Sequence, residues 1–290
     1  MGVRGVKVQV AAVALLMGLG ACAERELILP GERFPVRVDL NASVPVVGEP
    51  APVSPGDRPE NQSVPINLGA PQANADWTHR AGNARHEQPH GALSAAPQLI
   101  WSAPIGQGSS RRNRISAAPV VADGRIFTLD AGSGLVATAS NGGRLWATDL
   151  AADFDAGGSV SGGGLAYGAG LVFATTGYGE LIAVDPASGA VQWRQRLDVA
   201  VTGAPATDGD AVYVAGRDGS AWAVDAGTGK LRWQLAGLPA ALGTVGTAAP
   251  AVGDRAVLFP YAAGVLTAVL KVGGTQVWQA PVAGDRKSVV

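Results

Sequence analysis

Residues 223–233 read Ala-Val-Asp-Ala-Gly-Thr-Gly-Lys-Leu-Arg-Trp, and residues 183–193 read Ala-Val-Asp-Pro-Ala-Ser-Gly-Ala-Val-Gln-Trp. Each phrase predicts a strand, a tight turn and a returning strand that carries the tryptophan. Asp225 and Asp185 can accept hydrogen bonds from backbone amides of their turns, and the last glycine of each phrase can adopt a positive φ. The two phrases therefore describe the same strand-turn-strand unit.

The tryptophan that closes this unit recurs at a nearly constant interval. The gaps are 45, 47, 40 and 45 residues between Trp101, Trp146, Trp193, Trp233 and Trp278. Such an interval is typical of one four-stranded blade of a β-propeller. The copies that end at Trp146 and Trp278 keep the turn glycine but have Thr138 and Leu270 in place of the aspartate, so they are degenerate versions of the same unit.

A small twisted sheet cannot bury both of its apolar faces alone, so neighbouring sheets must stack, and a flat indole suits the gap between them. We therefore predict an all-β propeller of four-stranded antiparallel blades. The residues predicted to hold adjacent blades together are Trp146, Trp193, Trp233, Trp278, Asp185 and Asp225.

The composition agrees with a turn-dense β protein. Glycine accounts for 41 of 290 residues, and charged residues make up only 16%. The formal net charge is −1. The overall electrostatic potential of the chain therefore does not favour a nucleic acid as a partner.

The amino terminus has the features of a secretory signal. Residues 1–21 contain two early basic residues, an apolar stretch too short to span a bilayer, and Leu-Gly-Ala directly before Cys22. This placement of the only cysteine resembles the bacterial lipoprotein cleavage box, which implies acylation of Cys22 and a firm lipid anchor. Residues 22–75 are proline-rich and predict a tether, residues 76–282 contain the repeats, and residues 283–290 form a tail outside the repeat.

Motifs for catalysis or cofactor binding are missing from the sequence. His79, His86 and His90 lie close together but lack a second group of ligands, so we predict no metal site. The glycine-rich stretch 157–164 lacks the Lys-Ser/Thr ending of a phosphate-binding loop. The serines have no nucleophile-elbow context. We therefore expect no enzyme activity and no cofactor.

One cluster of charge stands out between Trp101 and the next predicted strand. It contains Arg111, Arg112 and Arg114. Guanidinium groups this close together repel one another and stay solvated unless an anionic surface meets them. The cluster is either a soluble loop or a docking site for an acidic patch on a partner.

The phrase Ala-x-Asp-x-x-Thr-Gly-Lys-x-x-Trp, complete at residues 223–233, resembles the tryptophan-docking motif of the pyrroloquinoline quinone (PQQ) dehydrogenase-like propellers. Together with the lipoprotein signal and the tether, it resembles the BamB family of outer-membrane assembly lipoproteins over residues 1 to about 282. This resemblance implies an eight-bladed, non-enzymatic scaffold that assists folding and insertion of outer-membrane β-barrel proteins. The implied partners are BamA periplasmic domains, other Bam subunits and unfolded outer-membrane proteins. Ala23 in place of an aspartate after Cys22 implies the outer membrane, periplasmic side.

Two other functions remain open on the sequence alone. A PQQ-dependent quinoprotein dehydrogenase uses the same propeller to hold PQQ and calcium, often with a disulfide between adjacent cysteines, whereas this chain has one cysteine. The second alternative is a propeller module that binds a sugar or a peptide.

The repeats in the chain are fewer than an eight-bladed ring requires. About four blades and an amino-terminal strand are recognisable up to about residue 282. We therefore expect a truncated or interrupted product that forms an open, incomplete arc, with an apolar face exposed at the last blade.

Overall fold

The computed structural model describes residues 65–88, 90–111, 113–152, 162–201, 203–237, 249–261 and 264–282. The predicted signal, Cys22 and most of the tether lie outside these residues, as do Arg112 and the tail. The chain divides into two units, Met1–Asn67 and Leu68–Val290, and all strands of the described residues belong to the second. Among the described residues, none forms a helix long and apolar enough to cross a membrane.

The described residues form four antiparallel sheets of four strands each. The first contains β1 (Val120–Ala122), β2 (Arg125–Leu129), β3 (Gly134–Ala139) and β4 (Arg144–Asp149). The second contains β5 (Gly163–Gly168), β6 (Leu171–Thr176), β7 (Glu180–Val184) and β8 (Val191–Arg196). The third contains β9 (Ala206–Thr207), β10 (Ala211–Ala215), β11 (Ala221–Asp225) and β12 (Leu231–Leu235). The fourth contains β13 (Ala251–Val252), β14 (Ala256–Tyr261), β15 (Val265–Leu270) and β16 (Gln276–Pro281).

Each sheet is a simple meander in which every strand pairs with its neighbour along the chain. The first strands of successive sheets touch one another, from β1 to β5, β5 to β9 and β9 to β13, so these inner strands surround a common axis. The four described sheets form an open arc and do not close into a ring. The predicted all-β propeller of four-stranded blades is confirmed.

The tryptophan of each outer strand has the same partner in the neighbouring strand. The register places an alanine opposite the tryptophan, and a β-bulge follows directly. The four pairs are Ala137 with Trp146, Ala183 with Trp193, Ala223 with Trp233 and Ala268 with Trp278. Because alanine is small, the indole can lie flat over this position. The bulge increases the local twist of the outer strand.

A short segment before β1 contacts all four inner strands in turn. Trp77 exchanges two backbone hydrogen bonds with Val121 of β1, and the Thr78 carbonyl accepts one from Tyr167 of β5. The Thr207 amide of β9 donates to the His79 ring at 3.0 Å. Finally, the Val252 amide of β13 donates to the Ala84 carbonyl at 2.7 Å. We call residues 77–84 the axial segment.

The predicted amino-terminal strand is thus replaced by isolated bridges in the described residues. The axial segment passes from one inner strand to the next, so it does not stay in register with any one of them. The axial segment instead bonds briefly to each sheet and links all four.

Candidate functional site

Three of the four predicted interblade tryptophans, Trp146, Trp193 and Trp233, lie against the next sheet along the chain. Each indole Nε1 donates to a backbone carbonyl in the turn between the third and fourth strands of that sheet. The distances are 3.0 Å from Trp146 to Pro186, 3.1 Å from Trp193 to Ala226 and 2.7 Å from Trp233 to Lys271. These hydrogen bonds fix the orientation of the indole between two sheets.

The glycine of each such turn lies directly under the indole. A Cβ atom at Gly189, Gly229 or Gly274 would approach the indole carbons to 2.7 Å, which is far inside van der Waals contact. These glycines also have a positive φ, between +68 and +76. A side chain is therefore disfavoured twice, by the backbone conformation and by the indole. We call these turns docking turns.

Asp185 and Asp225 shape two of the docking turns. Oδ1 of Asp185 accepts from the amides of Ala187 and Ser188, and Oδ1 of Asp225 accepts from the amide and hydroxyl of Thr228. The Ser188 hydroxyl and these amides hold the pKa of Asp185 below its usual range. The Arg232 guanidinium and Thr228 do the same for the pKa of Asp225. Both aspartates support the turn that receives an indole, and their role is structural.

Trp101 occupies the docking turn of the first sheet. Its Nε1 donates to the Ser140 carbonyl at 2.8 Å, and a Cβ at Gly142 would lie 2.9 Å from its ring. Trp101 belongs to no described strand. It nevertheless takes the place that the outer-strand tryptophan of a preceding sheet would occupy. From the sequence, Trp101 is predicted only as a member of the repeat, without an assigned contact.

Trp278 occupies the same strand position as the other tryptophans but lies in a different environment. It is 44% exposed, whereas Trp233 is 9% exposed. No sheet follows β16 in the described part of the chain. Of the predicted interblade tryptophans, Trp278 is therefore the one that no described docking turn receives.

A comparison of two glycines separates backbone strain from packing at a docking turn. Gly229 and Gly170 both have φ of +72, but a Cβ at Gly170 would meet nothing within 4 Å. We expect Gly170→Ala to lower the free energy of unfolding by about 1 kcal/mol, the cost of a left-handed alanine. Gly229→Ala should cost about 2 kcal/mol more, because the methyl group displaces Trp193. Urea unfolding measures both, and equal losses would show that the indole contact contributes nothing.

The arginine cluster lies on a polar loop. Arg111 and Arg114 are exposed, and Arg112 lies outside the described residues. The loop is folded on itself by serines: the Asn113 amide donates to Ser110 Oγ at 3.0 Å, and the Ile115 amide donates to Ser109 Oγ at 3.1 Å. The structure therefore displays two of the three predicted arginines on the surface.

The three histidines lie in different environments. His79 is buried, His86 is partly buried and His90 is exposed. No group of three potential metal-binding side chains occurs among the described residues. The Thr207 amide can only donate, so His79 Nε2 is unprotonated and Nδ1 carries the hydrogen that faces Thr78 Oγ1 at 2.9 Å. Burial, with nearby His86, lowers the pKa of His79 to about 4.

The described inner strands carry few polar side chains. Calcium requires six to eight oxygen ligands, mostly from carboxylates and carbonyls. The inner strands β1, β5, β9 and β13 contain only Val, Ala, Gly, Leu, Tyr and Thr. Within the described residues they therefore offer no carboxylate, amide or cationic side chain to a PQQ–calcium pair.

Stacked four-stranded sheets joined by indoles in glycine turns define a β-propeller of the PQQ type. The chain belongs to the family described as outer membrane protein assembly factor BamB, whose model matches residues 131–289. The resemblance to PQQ-type propellers predicted from residues 223–233 is thereby confirmed at the level of the family. No curated protein sequence matches the chain.

Several solved structures are similar to the chain. Quinohemoprotein alcohol dehydrogenase from Comamonas testosteroni aligns with a TM-score of 0.57 and 19% identity, over 71% of this chain and 41% of that one. The quinohemoprotein alcohol dehydrogenase ADHIIG from Pseudomonas putida HK5 gives 0.56 and 18%, over 71% and 40%. BamB from Moraxella catarrhalis gives 0.49 and 23%, over 60% and 51%. The chain thus spans between two fifths and about half of these structures, and at such identities the similarity shows the fold alone.

Proposed function

We propose that this chain is a non-enzymatic scaffold lipoprotein of the β-barrel assembly machinery, which assists folding and insertion of outer-membrane β-barrel proteins. The observation that carries this proposal is the family match over residues 131–289, described as outer membrane protein assembly factor BamB. In this function the stacked sheets provide a rigid frame, and the loops of one face meet the partner. The proposed partners are BamA periplasmic domains, other Bam subunits and unfolded outer-membrane proteins.

The chemistry of the inner strands supports a scaffold over a PQQ-dependent dehydrogenase. Their side chains are apolar or small, apart from one threonine and one tyrosine. That threonine is Thr207, whose hydroxyl donates to the Ala211 carbonyl and whose amide is bonded to His79. The tyrosine, Tyr167, donates its hydroxyl to Asp123. Both groups are therefore committed to structural hydrogen bonds.

The proposed location is the outer membrane, facing the periplasm. It depends on acylation of Cys22, which lies outside the described residues, and on the tether of residues 22–75. Several acyl chains on one cysteine would hold the propeller at the membrane, because each buried methylene contributes about 0.8 kcal/mol. The tether would place the sheets within reach of the periplasmic domains of a membrane-embedded partner.

Two titrations test the proposed function. The mature chain is titrated with BamA periplasmic domains by calorimetry and, separately, with PQQ and calcium by absorption spectroscopy. We expect saturable binding of the BamA domains and no change in the quinone spectrum. Binding of PQQ with calcium, without binding of the BamA domains, would contradict the scaffold proposal and indicate a quinoprotein.

The arginine loop is the proposed contact for an acidic patch of the partner. Reversing its charge with R111E, R112E and R114E together should weaken binding of the BamA domains by about tenfold or more, mainly through slower association. The matched control reverses three exposed cations elsewhere, with R144E, R196E and K230E. Equal affinities of the two triple variants would show that the loop is not part of the interface. That result would not affect the scaffold proposal.

A further inference from the structure

The interface between the third and fourth sheets contains an open cleft near the end of β14. The lining is mostly apolar and comes from both sheets and their turns. Its walls include Gly219, Leu235, Ala236, Tyr261, Val265 and Thr267. The cleft has a volume of about 400 Å³, counting the space that is open to solvent. It is thus a gap between two sheets that are otherwise closely packed.

A comparison of the repeats explains the position of this cleft. The residue before the alanine that pairs with the outer-strand tryptophan is Ile182 in the second sheet, Trp222 in the third and Thr267 in the fourth. Ile182 and Trp222 are buried, and each packs into the core shared with the preceding sheet. Thr267 has a much smaller side chain. The space that an indole fills between the second and third sheets is therefore left open between the third and fourth.

The side chains around Thr267 do not close the cleft. In the second sheet, Leu181 belongs to the core that contains Trp222. Its equivalent in the third sheet, two residues before the paired alanine, is Ala221. Tyr261 fills part of the space, and its ring stacks on Phe259 with the centroids 6.3 Å apart. The cleft is thus bounded by an aromatic wall and by small side chains.

Two exposed glutamines of β16, Gln276 and Gln279, give the cleft a polar rim. Gln276 Nε2 donates to Gln279 Oε1 at 3.5 Å, which is long for a hydrogen bond. The amide oxygen of Gln276 can therefore accept a hydrogen bond from a ligand. In the neighbouring interface, Trp222 Nε1 donates to Ser220 Oγ at 2.9 Å, but Val265 stands at the position equivalent to Ser220. An indole in the cleft would need the glutamine rim as its acceptor.

We propose that the cleft binds a planar aromatic ring of the indole class, with a hydrogen-bond donor at its edge. The ring takes the place that the Trp222 side chain occupies in the neighbouring interface. It lies against Tyr261 and Leu235 and donates to a glutamine amide at the rim. Apolar walls with a few polar groups at defined positions are typical of ligand sites. A free indole and the tryptophan side chain of a peptide carry the same ring, and binding of either does not depend on the scaffold function.

Titration of the full chain with fluoroindole, followed by fluorine NMR of the probe, tests this site. We expect a saturable shift with a Kd of about 1 mM or tighter. T267I introduces the residue of the second sheet, keeps a β-branched side chain in the strand and fills part of the cleft. It should weaken binding by about tenfold or more, because added methyl groups exclude a ligand from an apolar pocket. T267W introduces the side chain of the third sheet and should abolish binding.

A second pair of variants tests the rim without changing the interior of the interface. Q276A with Q279A should weaken binding by about threefold to tenfold through loss of a hydrogen bond. The matched control is Q234A, because Gln234 is exposed, pairs with Trp222 as Gln279 pairs with Thr267, and does not line the cleft. Thermal unfolding by circular dichroism checks that each variant is folded. The absence of a saturable shift in the parent, or equal affinities of the parent and folded T267I, would overturn the proposal.

A short capped peptide with a central fluorotryptophan distinguishes the two sources of the ring. Tighter binding of the peptide than of fluoroindole would assign the site to a side chain of a polypeptide, and the reverse order would assign it to a small molecule. Both probes should lose binding in T267W. Binding of either probe that persists in folded T267W would contradict the assignment of the site to this cleft.

Discussion

Replacing Trp233 with alanine will lower the free energy of unfolding by about 4 kcal/mol, as expected for a large aromatic side chain lost from a core. Trp233 lies between the third and fourth sheets, with ring centroids 6.1 Å from Tyr213 and 6.2 Å from Phe259. Its indole also donates to the Lys271 carbonyl and covers Gly274. Alanine would leave a cavity between two sheets and an acceptor without its donor.

Trp278 provides the matched control, since it occupies the same position in the repeat. Its side chain is 44% exposed, and no described sheet covers it. We therefore expect Trp278→Ala to cost about 1 kcal/mol or less. Urea unfolding followed by circular dichroism measures both variants. Similar losses at Trp233 and Trp278 would mean that the intersheet position of the indole does not determine its contribution to stability.

The stability of the protein will fall by about 3 kcal/mol through His79 alone as the pH is lowered from 6.5 to 4. Burial lowers the pKa of His79 from 6.5 to about 4 in the folded protein. Between these two values the unfolded chain binds a proton that the folded protein does not. The contribution of neutral His79 is therefore complete above pH 6.5 and is lost as the pH falls toward 4.

The difference between the parent and His79→Gln isolates this effect from the titration of carboxylates. Stability is measured by urea unfolding at several pH values, and the difference between the two proteins should change by about 3 kcal/mol between pH 4 and 6.5. His90→Gln replaces an exposed histidine and serves as the control. A difference that stays constant over this range would show that His79 is not held neutral by the fold.

The strand-turn-strand units could be predicted because their determinants are local. Asp225, Gly229 and Trp233 lie within nine residues, and the spacing of turn glycine and tryptophan repeats four times. The alanine opposite each tryptophan also had a signal, since it opens the phrase at Ala183 and Ala223. It was not assigned a role because the β-bulge that sets the register is not visible in a periodicity argument.

Contacts between distant segments could not be predicted in the same way. Trp101 lies in no strand, so the repeat alone did not indicate that it fills the turn at Gly142. The sequence raises only metal binding as a role for His79, because its partner Thr207 is far away in the sequence. Both contacts depend on how residues 77–88 and 90–101 pass over the sheets, and no local pattern encodes that path.

The axial segment couples the stabilities of the four described sheets to one another. In stacked repeats each unit normally interacts only with its neighbours, so the end units can open while the rest stays folded. Here Trp77, Thr78, His79 and Ala84 give the first, second, third and fourth sheets a shared partner. Because opening of one sheet frees part of a segment that the other sheets also hold, we expect the four described sheets to unfold as a single cooperative unit.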